Sequence, residues 1–249
     1  MNNIIETMLN HRSIRQYEDR PLSEEQIMTI VRCAQAASTS SYIQAYSIIG
    51  ITDKETKRKL AELCGNQPYV ETNGHLFVFC ADLHRHQVIA EMEGQDLSPA
   101  IESTEKFMVA VIDATLAAQN AALAAESMGL GICYIGGLRN QLQAVTELLD
   151  IPTHVMPLFA MTVGYPLQES SQKPRLPIGH VYHQEKYNQD KQSYQQQLQE
   201  YNATISSYYQ ERTQGERSDT WTGQMANMLS KPARMYMKEF VEKQGLNKK

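Results

Sequence analysis

The longest low-charge stretch of the chain runs from Phe107 to Ala125 and is rich in alanine. Phe107, Val111, Ala114, Ala118, Ala121, Ala122, Ala125 and Met128 recur at helical spacing and mark a broad apolar face. Its small residues let other helices approach closely. The spacing predicts one long helix from about Ser103, stopped by Gly129 in the left-handed position after its C-terminus. Asp113, Gln119 and Asn120 interrupt the stretch, so it reads as a buried helix of a soluble protein. A bilayer span needs roughly 18–20 apolar residues.

The flanking segments alternate between helix and strand. Ser23 with Gln26 forms a capping box, with Glu24 and Glu25 in the first turn. Ile27, Ile30, Val31, Ala34 and Ala37 follow at helical spacing, and the hydroxyl-rich Ser38-Thr39-Ser40-Ser41 suits a ligand-binding loop. Tyr46–Thr52 reads as a strand, and Asp53 caps a helix to about Cys64. His75–Ala81 is nearly continuously apolar, as expected of a strand covered on both faces. Residues 84–102 read as helix plus loop. Ile132–Ile135 and Leu158–Val163 are further strands, with a helix over Gln141–Leu149. The order implies an α/β or α+β sandwich. Beyond Pro177 the composition shifts to Gln, Tyr and Asn. Tyr194, Leu198, Tyr201, Ile205 and Tyr208 form one apolar-aromatic helical seam, and Met235–Lys243 reads as a last helix.

At 249 residues the chain can bury a substantial core. A net charge of −5 argues against a bulk nucleic-acid binder, which needs a concentrated basic face. The N-terminus lacks a charged region followed by an apolar one, so the expected compartment is the cytoplasm, without membrane attachment. Cys33, Cys64, Cys80 and Cys133 form no C-x-x-C pair and are expected to be reduced thiols. The histidine pairs at 84/86 and 180/183 lack the convergence a metal needs and read as surface residues, and no metal is expected. Gly129 and Gly131 follow a helix and precede a strand, the reverse of a dinucleotide-binding turn.

Two cationic clusters remain. His11, Arg12, Ser13 and Arg15 place two guanidiniums, an imidazole and a hydroxyl within five residues. On a helix 11 and 15 share a face, as do 12 and 15; on an extended segment 11, 13 and 15 do. Lys173-Pro174-Arg175 is held extended by its prolines, so both cations point the same way and can clamp a phosphate. Each cluster alone is also compatible with a solvated basic surface. Together they suit a phosphorylated, partly anionic cofactor. Gly136-Gly137 after a strand allows backbone to approach a flat ring.

These pieces occur in a recognisable order: Asn10-His11-Arg12-Ser13-Ile14-Arg15, Ser38-Thr39-Ser40-Ser41, Gly65-Asn66-Gln67-Pro68-Tyr69-Val70, Ala124 to Gly131, Tyr134 to Asn140, Lys173 to Pro177 and Glu211-Arg212-Thr213. From about Asn2 to the C-terminal region the chain resembles the NADPH-dependent FMN reductases and oxygen-insensitive nitroreductases of the flavin reductase P type. The resemblance implies an α+β sandwich, a central mixed but mainly antiparallel sheet flanked by helices, in a domain-swapped homodimer with FMN at the interface. It implies one domain over 1–249, with 178–249 a helical excursion packing on the body or the partner subunit.

By the same resemblance, His11, Ser13, Lys173 and Arg175 hold the phosphate and ribityl chain, and Arg12 and Arg15 are cationic partners of the flavin. Arg15 faces its N1/O2 edge and is the catalytic charge donor. Gln67 meets the polar edge, and Tyr134, Ile135, Gly136 and Gly137 lie along the ring. Thr39 stands where many relatives have serine and keeps the hydroxyl. Arg212 matches the arginine that contacts the NADPH 2′-phosphate, so NADPH is expected ahead of NADH. The implied activity is ping-pong hydride transfer to small acceptors such as nitroaromatics, quinones or free flavin. The alternatives are a dedicated FMN reductase serving a partner and a flavin-binding sensor without turnover.

Overall fold

The computed structural model describes residues 2–168 and 170–249. In chain order its main elements are α1 (Asn3–Leu9), α2 (Glu24–Gln35), β1 (Tyr46–Ile51), α3 (Lys54–Leu63), α4 (Pro68–Glu71), β2 (His75–Asp82), α5 (His84–Glu93), α6 (Ser98–Ile101), α7 (Thr104–Ser127), β3 (Gly131–Ile135), α8 (Leu142–Leu148), β4 (Val155–Gly164), α9 (Lys191–Arg212), α10 (Trp221–Leu229) and α11 (Met237–Lys243). They divide into two compact units, Met1–Ser170 with Arg234–Lys249, and Ser171–Ala233.

Local signals set several boundaries. The capping box is formed as expected: the Gln26 N–H donates to Ser23 Oγ and the Ser23 N–H to Gln26 Oε1. Asp53 caps α3 through the Thr56 N–H at 2.7 Å. Gly129 follows α7 at φ +75°. By length and composition α7 is the one described helix able to cross a bilayer, but its alanine face lies in the core of the first unit.

The sheet order is β1-β2-β4-β3 and every strand pairing is antiparallel. The mixed character expected of it is confined to an isolated parallel bridge between Ser13 and Ile132. Register shifts between Phe79 and Cys80, opposite Pro157, which has no N–H to offer a regular ladder. β2 is buried along its whole length. Phe77 and Phe79 face the core with Ala117, Ala121 and Ile30. Leu76, Val78 and Cys80 face the other core, with Leu60, Val145 and Cys133. Helices therefore cover both faces, the sandwich of an α+β fold.

The stretch 178–249, expected to pack on the body or the partner subunit, is divided between the two units. Residues 234–249 return to the first unit, where Phe240, Val241 and Leu246 pack with Met156 and Leu158. The Thr104 N–H donates to Lys249 O at 2.8 Å and the His154 N–H to Gln244 O at 2.7 Å. Within the second unit the seam of α9 buries Tyr201, Ile205 and Tyr209 against Trp221, with Tyr208 only partly covered. The four-residue spacing wins because a short contact with α10 needs no heptad seam.

Candidate functional site

Residues 11–17 are extended, and β3 and β4 hold them. The Ile14 N–H donates to Ile132 O at 2.8 Å. Tyr17 is buried, and its hydroxyl bonds Ile14 O at 2.7 Å and Thr162 Oγ1 at 2.8 Å. An extended chain alternates its side chains. Ile14 points inward, while Ser13 and Arg15 lie near enough to the Cys133 thiol to oppose the rise in its pKa. Arg12 lies with Ile14 along a cleft of about 610 Å³, beside Glu6, Asn10 and Glu126. His11 pairs with Glu126, Nδ1 to Oε1, at 2.6 Å.

Arg15 extends over Tyr69, with its guanidinium carbon 5.9 Å from the ring centre, close enough for a cation–π contact. Partial burial works against its charge, but Cys133, Tyr69 and Tyr17 outweigh that and raise its pKa. Burial pushes the Cys133 thiol up, opposed by Arg15 and Ser13. The Tyr69 hydroxyl donates to Gln67 Oε1, and Gln67 Nε2 donates to Cys64 O at 2.6 Å. A Cβ on Gly137 would stand 2.5 Å from both Cys64 O and Gln67 Nε2. Glycine is therefore demanded there by the chain's own packing.

Gly136 backs on Arg139, whose Nη2 would lie 3.3 Å from an added Cβ and whose Nη1 donates to Leu158 O at 2.5 Å. Burial and the nearby Arg234 lower the Arg139 pKa. The Tyr134 hydroxyl donates to Ala118 O at 2.8 Å, so its side chain is committed to α7. Ile135 is buried. Thr39 precedes a single helical turn, Ser40–Tyr42, and its hydroxyl caps no helix.

Lys173, Arg175 and Arg212 belong to the second unit. The Tyr201 hydroxyl donates to Pro174 O at 2.9 Å, pinning the segment between the first two. The Lys173 ammonium stands 5.6 Å from the Tyr209 ring centre and Arg217 4.4 Å from it. Burial works to raise the Tyr209 hydroxyl, but Lys173, Gln224 and Arg217 hold it below its ordinary value. Arg212, in the last turn of α9, donates to the Tyr208 hydroxyl at 3.0 Å.

Sequence reasoning missed Tyr69, Arg139 and Arg217. Their partners are distant in the chain or depend on rotamer, and no local pattern marks them. It also read His84 and His86 as solvated. Both are half-buried, and His86 Nε2 lies 2.9 Å from Ile43 O. Among the described residues no group of three His, Cys, Asp or Glu is placed to hold a metal. The donor set of hydroxyls, amides and guanidiniums fits a phosphorylated cofactor with an anionic ring.

The chain belongs to the nitroreductase family of oxidoreductases: the Nitroreductase family model matches residues 8–165, and its C-terminal domain model matches residues 173–249. Among curated proteins it is 57% identical over 248 residues to the FMN reductase (NADPH) of Bacillus subtilis strain 168, covering 100% of both chains. Among solved structures it is similar to B. megaterium NfrA1, with 72% identity and a TM-score of 0.98 over 99% of this chain and 100% of that one. A NADPH:FMN oxidoreductase from Vibrio harveyi, complexed with NAD⁺, shares 39% identity and a TM-score of 0.89 over 100% of each chain.

Proposed function

We infer that this chain is an FMN-containing, NADPH-preferring oxidoreductase that passes two electrons to small flat acceptors such as nitroaromatics, quinones or free flavin. The observation that carries the reading is the gathering of Arg15, Tyr69 and Gln67 beside the Gly136-Gly137 turn. FMN, when bound, supplies the hydride chemistry. Every other contribution is the chain's. Arg15 would place a fixed positive charge toward the polar edge of the ring, where negative charge develops on reduction, and would need no reorganisation to do so. Gln67 has one amide N–H beyond its bond to Cys64 O to offer the polar edge. Ser13 and His11 would offer a hydroxyl and a ring N–H to the phosphate and ribityl chain and Thr39 a further hydroxyl, with Lys173 and Arg175 assigned to the phosphate by family resemblance. Tyr134, Ile135, Gly136 and Gly137 would border the ring through backbone, since the Tyr134 side chain is engaged elsewhere.

NADPH and the acceptor would occupy one open place in turn, which makes the kinetics ping-pong. A shallow stacking site leaves few buried polar groups unpaired by a wrong acceptor, so several flat acceptors are accepted. Arg212 would read the 2′-phosphate. A homodimer is supported by the exposed apolar row Met108, Ile112 and Leu116 on α7. A cytoplasmic setting is supported by four unpaired thiols.

The test is anaerobic addition of NADPH to the purified yellow protein. Bleaching, followed by recovery of colour with a nitroaromatic, supports the reading; a protein that stays yellow supports a sensor without turnover. Bleaching that requires excess free FMN supports a dedicated FMN reductase, the second reading, which the printed name of the 57% identical relative favours. Light scattering in solution tests the dimer.

A further inference from the structure

α7 fully buries one acidic residue, Asp113, whose relative exposure is 0%. No basic side chain pairs with it among the described residues. Its two oxygens instead accept two backbone N–H groups, Oδ1 from Ser40 at 3.0 Å and Oδ2 from Ala45 at 3.0 Å. A carboxylate in such a place is costly unless fully hydrogen-bonded. Nothing about helix packing calls for it, since the neighbouring positions are served by alanine.

The segment between those two amides is unusual. Ser41, Tyr42 and Gln44 all have left-handed backbones, at φ 48°, 60° and 53°. None is glycine, and each such conformation is disfavoured for an L-residue. Clustered strain of this kind persists only where surrounding structure enforces it. Asp113 grips the segment at both ends, and Thr39 stands immediately before the first gripped amide.

We propose that Asp113 is a positioning residue for the cofactor: it holds residues 40–45 in their strained course and thereby fixes the Thr39 hydroxyl that meets FMN. This rests on the flavin reading above.

Asp113→Asn tests it. The amide is the same shape but has one acceptor where the carboxylate has two, so one of the two N–H groups faces an NH₂. A second variant approaches from the loop. Ser40→Pro deletes one donated N–H and leaves the core untouched, and Thr39, at φ −123° and ψ 151°, already has a backbone that tolerates a following proline. The readouts are the Kd of each apoprotein for FMN, by quenching of flavin fluorescence, and amide hydrogen exchange of residues 39–45 compared with β2. Both are taken well below the melting temperature.

Both variants should bind FMN at least about tenfold more weakly. Exchange should quicken in 39–45 but not in β2. Thr39→Val should cost less in the Asp113→Asn background than in wild type, because the two act through one contact. Faster exchange with unchanged FMN affinity would overturn the proposal, as would fully additive losses for Thr39→Val and Asp113→Asn. If Asp113→Asn does not fold, Ser40→Pro decides alone by the same affinity criterion. Wild-type apoprotein that takes up no FMN would instead remove the flavin reading itself, and this proposal with it.

Discussion

The Tyr69 hydroxyl donates a hydrogen bond to Oε1 of Gln67, and so sets which face of that amide points away from Cys64. The same ring lies under Arg15. Two residues assigned to the flavin edge thus lean on a third that carries no charge. Tyr69→Phe keeps the ring and deletes the bond. One neutral hydrogen bond is worth about 1 kcal/mol, so FMN binding should weaken roughly three- to tenfold. Fluorescence titration of the apoprotein measures it, and an unchanged Kd would show that Gln67 needs no such support.

Arg15 is exposed, so Arg15→Ala should leave a folded protein. Loss of one preorganised charge donor typically costs about 2.7–4 kcal/mol of transition-state stabilisation. Anaerobic stopped-flow should therefore show flavin reduction by NADPH slowed roughly a hundredfold to a thousandfold. A wild-type rate in that variant would remove Arg15 from the catalytic role.

Arg212 donates to Tyr208 but remains exposed at the end of α9. Hydrogen bonds to charged groups contribute about 1.5–3 kcal/mol. Arg212→Ala should raise the KM for NADPH roughly tenfold to a hundredfold and leave that for NADH nearly unchanged. Equal losses with both nicotinamides would mean that Arg212 does not read the 2′-phosphate.

His75 should make the fold acid-sensitive. It is 3% exposed and neither ring nitrogen has a hydrogen-bond partner. Burial, with the nearby Lys57, lowers its pKa from 6.5 to about 4. The fold therefore favours the neutral ring. That preference is fully present above pH 6.5, where the unfolded chain is neutral too, and is lost progressively as pH falls toward 4. The contribution lost is about 3 kcal/mol. Urea midpoints measured from pH 7 to pH 4 should fall, and His75→Leu should flatten that fall. An identical slope in the variant would assign the acid sensitivity to other groups.

Legibility followed the range of the interactions. The Ser23 and Asp53 caps, the Gly129 stop and the all-apolar β2 are decided within a few residues, and sequence was enough to place them. The alternation of Ser13 and Arg15 was readable only as one of two options, until the hydrogen bond from Ile14 to β3 made the segment extended. The roles of Arg139 and Asp113, and the approach of Tyr69 to Arg15, were invisible, because each depends on a partner brought near by the fold.

By itself the amino-acid sequence determined the four strands and helices α2, α3, α7, α8 and α11 of the first unit and the identity of its cationic donors, since caps, periodicity and side-chain chemistry are local properties. Only the tertiary structure decided that residues 234–249 rejoin the first unit, that Tyr209 rather than Tyr208 seals α9, and that Asp113 holds a strained turn. Those outcomes depend on which surfaces meet across long stretches of chain. Burial energy selects among such meetings, and no short-range pattern records the choice.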